Sequence, residues 1–207
     1  MPSPSSKYDT SIVGPLKLLT FFGTKSLDIA ESGPGKARAS YYAKNHTFSS
    51  PDITLHAGNT KAGPILGAVE LHNWSSDRVC MGNPGNKSWI EVTRSSMWSH
   101  SEFRFTFRCG PDDKNMTFIW RRVKTRTFRP MGDMELVAAA RPDEVLAEYT
   151  SSGVMSASQA VVKVSGELDQ KLDLMVLLTI LSLHFSAQGR TRNAAAGGAA
   201  GAAGGGC

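Results

Sequence analysis

The chain has 207 residues, 41% of them hydrophobic and 20% charged, with a formal charge of +5. That balance supports one domain with a substantial core and excludes a globally disordered chain, which lacks the apolar residues to offset its ordering entropy. Cys80, Cys109 and Cys207 are widely spaced and form no CxxC pair. This argues against a disulfide framework or zinc knuckle and for reduced thiols in a cytosolic or nuclear protein.

Residues 1–14 open on a polar, Pro/Ser-rich stretch and are expected to form a flexible leader. The run from Ile12 to Phe22 is broken by Gly14, Pro15 and Lys17, which makes a poor secretory core. Asn-x-Ser/Thr triplets occur at Asn45, Asn73, Asn86 and Asn115. In a Ser/Thr-rich chain such triplets arise from composition, and without a signal peptide they would stay unmodified.

Short β-type runs then follow one another, separated by Gly, Pro, Asn, Asp and Ser. Leu16 to Phe22 reads as a first strand and Glu31 to Gly35 as a turn cluster. Further strands are expected at Ala39 to Lys44, Asp52 to His56, Ile65 to Leu71, Arg78 to Met81 and Trp89 to Thr93. Phe103 to Arg108 is the cleanest, because three aromatics alternate with polar residues as on a sheet with one buried face. A Gly-Pro-Asp-Asp loop links it to Met116 to Arg121, which predicts an antiparallel hairpin. Glu135 to Ala139, Val145 to Tyr149 and Gln159 to Val164 complete a mainly β chain of barrel or sandwich type.

From Leu168 the pattern changes. Leu172, Leu174 to Leu178, Ile180, Leu181, Leu183 and Phe185 cover every side of a helix, so a helix over about 168–186 must be enclosed by protein or lipid. The uncharged stretch from Leu174 to Leu183 reaches only ~15 Å, against the ~30 Å of a bilayer core. The expectation is therefore a closed β barrel around a central C-terminal helix, with residues 15–188 as the domain. Residues 189–207 are Ala/Gly-rich and expected to be disordered. Cys207 is the last residue of the chain, so the prenylation pattern is missing.

The charge is localised. Between Glu102 and Pro130 eight basic residues face three acidic ones, and the rest of the chain is formally balanced. If the three phenylalanines face the core, Arg104 and Arg108 point outward, and Arg121, Arg122, Lys124 and Arg126 add charge nearby. Such a cluster suits anionic lipid headgroups or nucleic-acid phosphates, or it is a solvated basic surface with no specific partner. These six residues are the candidate anion-binding set.

Other constellations are bland. His46, His56, His72, His100 and His184 lack ligand spacing, so no metal or cofactor is expected. His184 closes the apolar stretch and reads as a partner for a helix C-terminal dipole. No GxSxG, phosphate loop or GxGxxG occurs, and Cys80 and Cys109 read as buried thiols. Trp74, Trp89, Trp98 and Trp120 read mainly as core or rim packing.

Phe118-Ile-Trp-Arg121, Glu135-Leu-Val137, Val145-Leu-Ala-Glu-Tyr149 and the helix from Leu168 to Phe185, in that order, resemble the tubby C-terminal-like superfamily. That group includes LURP-one-related proteins, phospholipid scramblases and small fungal members, which look most similar. The resemblance spans roughly residues 40–185 and implies a closed antiparallel barrel of about twelve strands around a hydrophobic helix. The phosphoinositide-binding basic residues of tubby proteins do not map onto positions here. The cysteine-rich and acidic segments of scramblases have no counterpart. The expectation is a non-enzymatic binding module, cytoplasmic and peripheral at membranes, which docks anionic phospholipid or an acidic partner through the basic hairpin of residues 102–129. The alternatives are a protein-interaction scaffold, or an enzyme with a cavity between barrel and helix.

Overall fold

The computed structural model describes residues 16–22, 26–33, 36–46, 49–72, 75–86, 88–95, 101–110, 112–123, 132–151, 159–165 and 168–202. In chain order the strands are β1 (Leu16–Phe22), β2 (Ser26–Gly33), β3 (Lys36–Asn45), β4 (Ile53–Ala57), β5 (Ile65–Glu70) and β6 (Asp77–Met81). They continue as β7 (Ile90–Arg94), β8 (Glu102–Cys109), β9 (Lys114–Arg122), β10 (Met134–Ala138), β11 (Arg141–Ser151) and β12 (Gln159–Ser165). A single helix, α1 (Gln170–Ala202), follows. Each strand pairs antiparallel with the next, and β1 pairs with β12, so the twelve strands close into a barrel with no free edge.

Period-two patterning decides which face turns inward. On β8, Phe103, Phe105 and Phe107 are buried while Arg104, Thr106 and Arg108 are exposed. The expected hairpin is present, with Phe103 opposite Trp120 and Phe105 opposite Phe118. β2 was not expected from the sequence. Its inward set is only Leu27 and Ile29, both fully buried, and the polar residues and glycine around them resemble a loop. The cluster from Glu31 accordingly contributes its first residues to the end of β2.

α1 runs through the barrel. Met175, Val176, Leu178, Ile180 and Leu181 are fully buried and come from all sides of the helix. By length and composition Gln170–Arg190 would suffice to cross a membrane, but 72% of its most apolar 18-residue stretch is buried inside the protein, so protein supplies the enclosure. Asp169 starts the helix as a cap, its Oδ1 accepting from the N–H groups of Lys171 (2.7 Å) and Leu172 (3.0 Å). The Gly110 N–H in the β8–β9 turn donates to Oδ2 at 3.1 Å, which fixes the end of the barrel where the helix enters. Partial burial pushes the Asp169 carboxyl up, but these three N–H donors outweigh it and hold the pKa below its ordinary value.

The helix does not end near residue 186 but continues through the Ala/Gly segment to Ala202. Alanine is the strongest helix former and the segment has no proline to stop propagation, so the low-complexity composition misled the expectation of disorder. His184 is therefore mid-helix and not a terminal dipole partner. It lies buried beside Tyr149, whose Oη is 2.7 Å from Nδ1, and edge-on to Phe21 and Phe185. Burial pushes its pKa down to about 4, leaving a neutral ring at neutral pH.

Three more polar contacts set the helix against its wall. The Trp120 indole N–H donates to Thr179 Oγ1 at 3.0 Å. The hydroxyls of Ser182 and Ser186 donate to Asp77 Oδ2 at 2.7 and 2.8 Å. On a third side Gly67 lets the helix approach, since a Cβ there would lie 2.6 Å from Leu178 Cδ1. These contacts involve β9, β6, β5 and, through Tyr149, β11, so they fix both the rotation and the depth of α1.

Candidate functional site

The outward face of the basic hairpin is ion-paired along its length. Arg104 bridges to Glu102 at 2.6 Å, Lys114 to Asp112 at 2.7 Å and Arg108 to Asp113 at 3.5 Å. All three bases keep side-chain exposures of 52–75%. Such exposed pairs contribute only ~0–1 kcal/mol, so their partners exchange readily. Arg121 differs. Its Nε and Nη2 both donate to Glu135 Oε2 at 3.2 Å, and Glu135 is nearly buried, so this guanidinium ties β9 to β10.

Arg122 is the next residue, and alternation sends it the other way. By parity it falls on the side of β9 that carries Phe118 and Trp120, opposite buried Met134, but at the last position of the strand it is itself exposed. It therefore lies at a barrel mouth, not on the hairpin face. Gly132, with φ of 72°, lies beneath it, and a Cβ there would meet Arg122 Nε at 2.7 Å. Lys124 and Arg126, the remaining members of the expected set, lie outside the described residues.

This is the mouth through which α1 leaves, because β6 starts here, and Asp77 at its start is the residue that Ser182 and Ser186 reach. Two arginines that the sequence did not single out are brought to it. Arg94 ends β7 on the same inward face as buried Val92, opposite Phe103, and its Nη2 donates to the His72 carbonyl at 3.4 Å. Arg190 lies one helical turn beyond Ser186 and is half-buried. Burial lowers its pKa, and Arg94 and Arg122 act in the same sense against Asp77. The Asp77 carboxylate is itself committed to the two serine hydroxyls and to the His72 N–H at 2.8 Å. The alternation Val92-x-Arg94 at a strand end was a legible signal for Arg94. Arg190 was concealed by assignment to the tail.

The lumen is filled by Leu177, Leu178, Ile180, Leu181 and Leu183, which gives no support to an active-site cavity between barrel and helix. A groove of about 350 Å³ opens instead on the outer wall between β7 and β8. Their ladder stops at Thr93 opposite Arg104, although β8 runs on to Cys109 and β7 begins at Ile90. Trp89, Glu91 and Thr93 form one bank, and Arg104 and Thr106 the other.

The remaining candidates have structural surroundings. Cys80 and Cys109 are buried free thiols whose pKa values burial raises, which disfavours the thiolate. Trp120 is core, and Trp89 lies under the Arg78 guanidinium at 5.7 Å. Trp74, Trp98, His100 and Cys207 fall outside the described residues. His46 and His56, distant in the sequence, are joined through Thr54 Oγ1 at 3.0 and 2.9 Å. The Nδ1–H of His56 donates to the Gly63 carbonyl at 2.9 Å, so its Nε2 accepts from Thr54. This chain supports the β3–β4–β5 side of the barrel. Among the described residues no group of three or more His, Cys, Asp or Glu side chains is arranged to hold a metal ion.

No protein-family model matches the chain, and no curated protein matches it.

Proposed function

We propose that the chain is a non-enzymatic binding module that docks on an anionic surface, the phospholipid headgroups on the cytoplasmic side of a membrane. The observation that supports this is where the charge is compensated. The three acids of the basic segment are taken up by Arg104, Arg108 and Lys114 on the hairpin. The segment's remaining bases begin at Arg121, which is tied to Glu135, and Arg122, which ends β9 on the side of the barrel where α1 leaves; Lys124, Arg126 and Arg129 follow in the sequence. A basic residue near an anionic membrane contributes ~1 kcal/mol, so a few of them acting together give reversible peripheral attachment. The resemblance to tubby-like proteins, some of which bind phosphoinositides, points the same way.

Vesicle co-sedimentation tests the proposal. The full chain is expected to sediment with phosphatidylcholine vesicles containing phosphatidylserine or phosphoinositide, to release as salt is raised, and to ignore neutral vesicles. Equal binding to neutral vesicles contradicts it.

A second reading, a scaffold for a protein partner, is favoured by the groove between β7 and β8. Where a ladder stops short, an extended peptide finds backbone groups to pair with. Protection of the Thr106 amide from hydrogen exchange on adding a partner would mark that mode.

A further inference from the structure

We infer that the groove between β7 and β8 takes a short extended peptide segment that pairs with β8 at Thr106 and Arg108 and carries one carboxylate level with Arg108. This rests on the reading of the groove as a protein-partner site, and gives that partner a conformation and a charge.

Hydrogen-bond parity decides which backbone groups face the groove. The Ser95 N–H donates to the Glu102 carbonyl at 3.1 Å, and Thr93 stands opposite Arg104. The even-numbered residues of β8 therefore turn their N–H and C=O groups toward β7. On the other edge the Arg122 N–H donates to the Ser101 carbonyl at 2.7 Å, so the odd-numbered residues serve the β9 ladder, which runs on to Cys109. Past Arg104 the even set is Thr106 and Arg108, and the β7 ladder ends before either. The space between the banks is about 350 Å³. That is near the lower bound of the ~300–1,000 Å³ typical of ligand sites, so a segment of a few residues fits and a long strand does not. Backbone groups along an open strand edge are what an extended peptide recognises.

Side chains set the charge. The β7–β8 register, continued, would put Glu91 level with Thr106 and Trp89 level with Arg108. A peptide antiparallel to β8 alternates as its neighbour does. Its outward residues are the one level with Thr106 and, two positions earlier, the one level with Arg108. A carboxylate at the earlier position meets the Arg108 guanidinium across the strands. Arg108 can exchange partners. Its side chain is 67% exposed, it holds Asp113 at 3.2 Å through the carbonyl and 3.5 Å through the carboxylate, and Lys171 also reaches Asp113 at 4.0 Å. A second carboxylate, level with Thr106, is opposed by Glu91, which is exposed on the facing bank. The other acids of this wall have their own cations: Glu102 has Arg104, Asp112 has Lys114 and Glu70 has Arg78. Ile90 and Phe105 line the groove between these positions and call for apolar residues in the alternate places.

The test titrates the isotopically labelled full chain with blocked pentapeptides and follows backbone amide resonances. The probe is acetyl-Val-Glu-Val-Thr-Val-amide. It is expected to shift the Thr106 and Arg108 amides, and its analogue with Gln for Glu to bind roughly tenfold more weakly, the loss of one charged hydrogen-bonding partner. An analogue with Glu in place of Thr is expected to bind more weakly than the probe. N-methylation at the peptide's Thr nitrogen removes a donor to β8 and is expected to abolish binding. Arg108→Glu, an exposed substitution, is expected to reverse the preference to the analogue with Lys for Glu, a gain that misfolding cannot produce. Equal binding of the Glu and Gln peptides, or no reversal in Arg108→Glu, overturns the carboxylate assignment and leaves the groove reading standing. If no peptide perturbs Thr106, strand pairing at the groove is overturned with it.

Discussion

The indole N–H of Trp120 on β9 donates to Thr179 Oγ1 on α1 across 3.0 Å, with both residues fully buried. Thr179 in turn donates back to the Met175 carbonyl at 2.8 Å, so one hydroxyl satisfies the wall and the helix together. The contact makes the helix a keyed component of the barrel, beyond its apolar fill.

Thr179→Val keeps the shape and removes the acceptor, leaving the indole N–H buried without a partner. The expected loss is about 1–3 kcal/mol of stability, measured by denaturant unfolding, with a shift in tryptophan emission. A neutral result would mean that the indole finds another acceptor.

Close approach at Gly67 leads to a second prediction. Gly67→Val places a side chain where Leu178 Cδ1 and the Cys80 carbonyl already lie within 2.7 Å. Overpacking of this kind is expected to destabilise by about 1–3 kcal/mol. Leu178→Asp is expected to abolish folding, because a fully buried site offers the new carboxylate no partner. Circular dichroism in the absence of any lipid reads both effects. Retention of the fold by Leu178→Asp would show that the helix is not the barrel's core.

The buried His184 gives a pH dependence with a definite sign. Its folded pKa is about 4, below the ordinary value of 6.5, so between these values the unfolded chain binds the extra proton. The contribution of this residue is complete above about pH 6.5 and is lost as pH falls toward about 4, at up to ~1.4 kcal/mol per pH unit. His184→Gln should flatten that part of the stability profile. An unchanged profile would place the acid sensitivity elsewhere.

The four acid-paired bases of the hairpin should divide by burial. Arg104→Ala and Arg108→Ala are each expected to change stability by less than ~1 kcal/mol, since their pairs are exposed. Arg121→Ala removes both donors from the nearly buried Glu135, and is expected to cost about 1–3 kcal/mol. Thermal unfolding at matched pH distinguishes them, and similar losses at all three positions would contradict the assignment of Arg121 as a tie.

Much of this architecture was legible where patterning is strong. Phe103, Phe105 and Phe107 define a half-buried strand by alternation alone, and the all-round apolarity of Leu172 to Phe185 requires an enclosure that only many strands could provide. β2 was not legible because two inward residues, Leu27 and Ile29, give too short a period to stand out from a loop. The helix end was misread because an Ala/Gly composition is compatible with both disorder and continued helix. The site was half legible. Charge density located the segment around the hairpin, but the opposite orientations of adjacent Arg121 and Arg122 depend on strand parity, and Arg94 and Arg190 join Arg122 only through barrel closure. Thr179 and Ser182 were lost within an apolar run, and His184 was read as a terminal dipole partner, although each meets a specific partner on the wall.

Hydrogen exchange on the full chain, with and without anionic vesicles, tests the central claim most directly. Docking through the helix-exit end predicts vesicle-dependent protection near Arg94, Arg122 and the α1 segment around Arg190, and none in the β8–β9 turn at Gly110. Protection confined to that turn, or no difference anywhere, would contradict it.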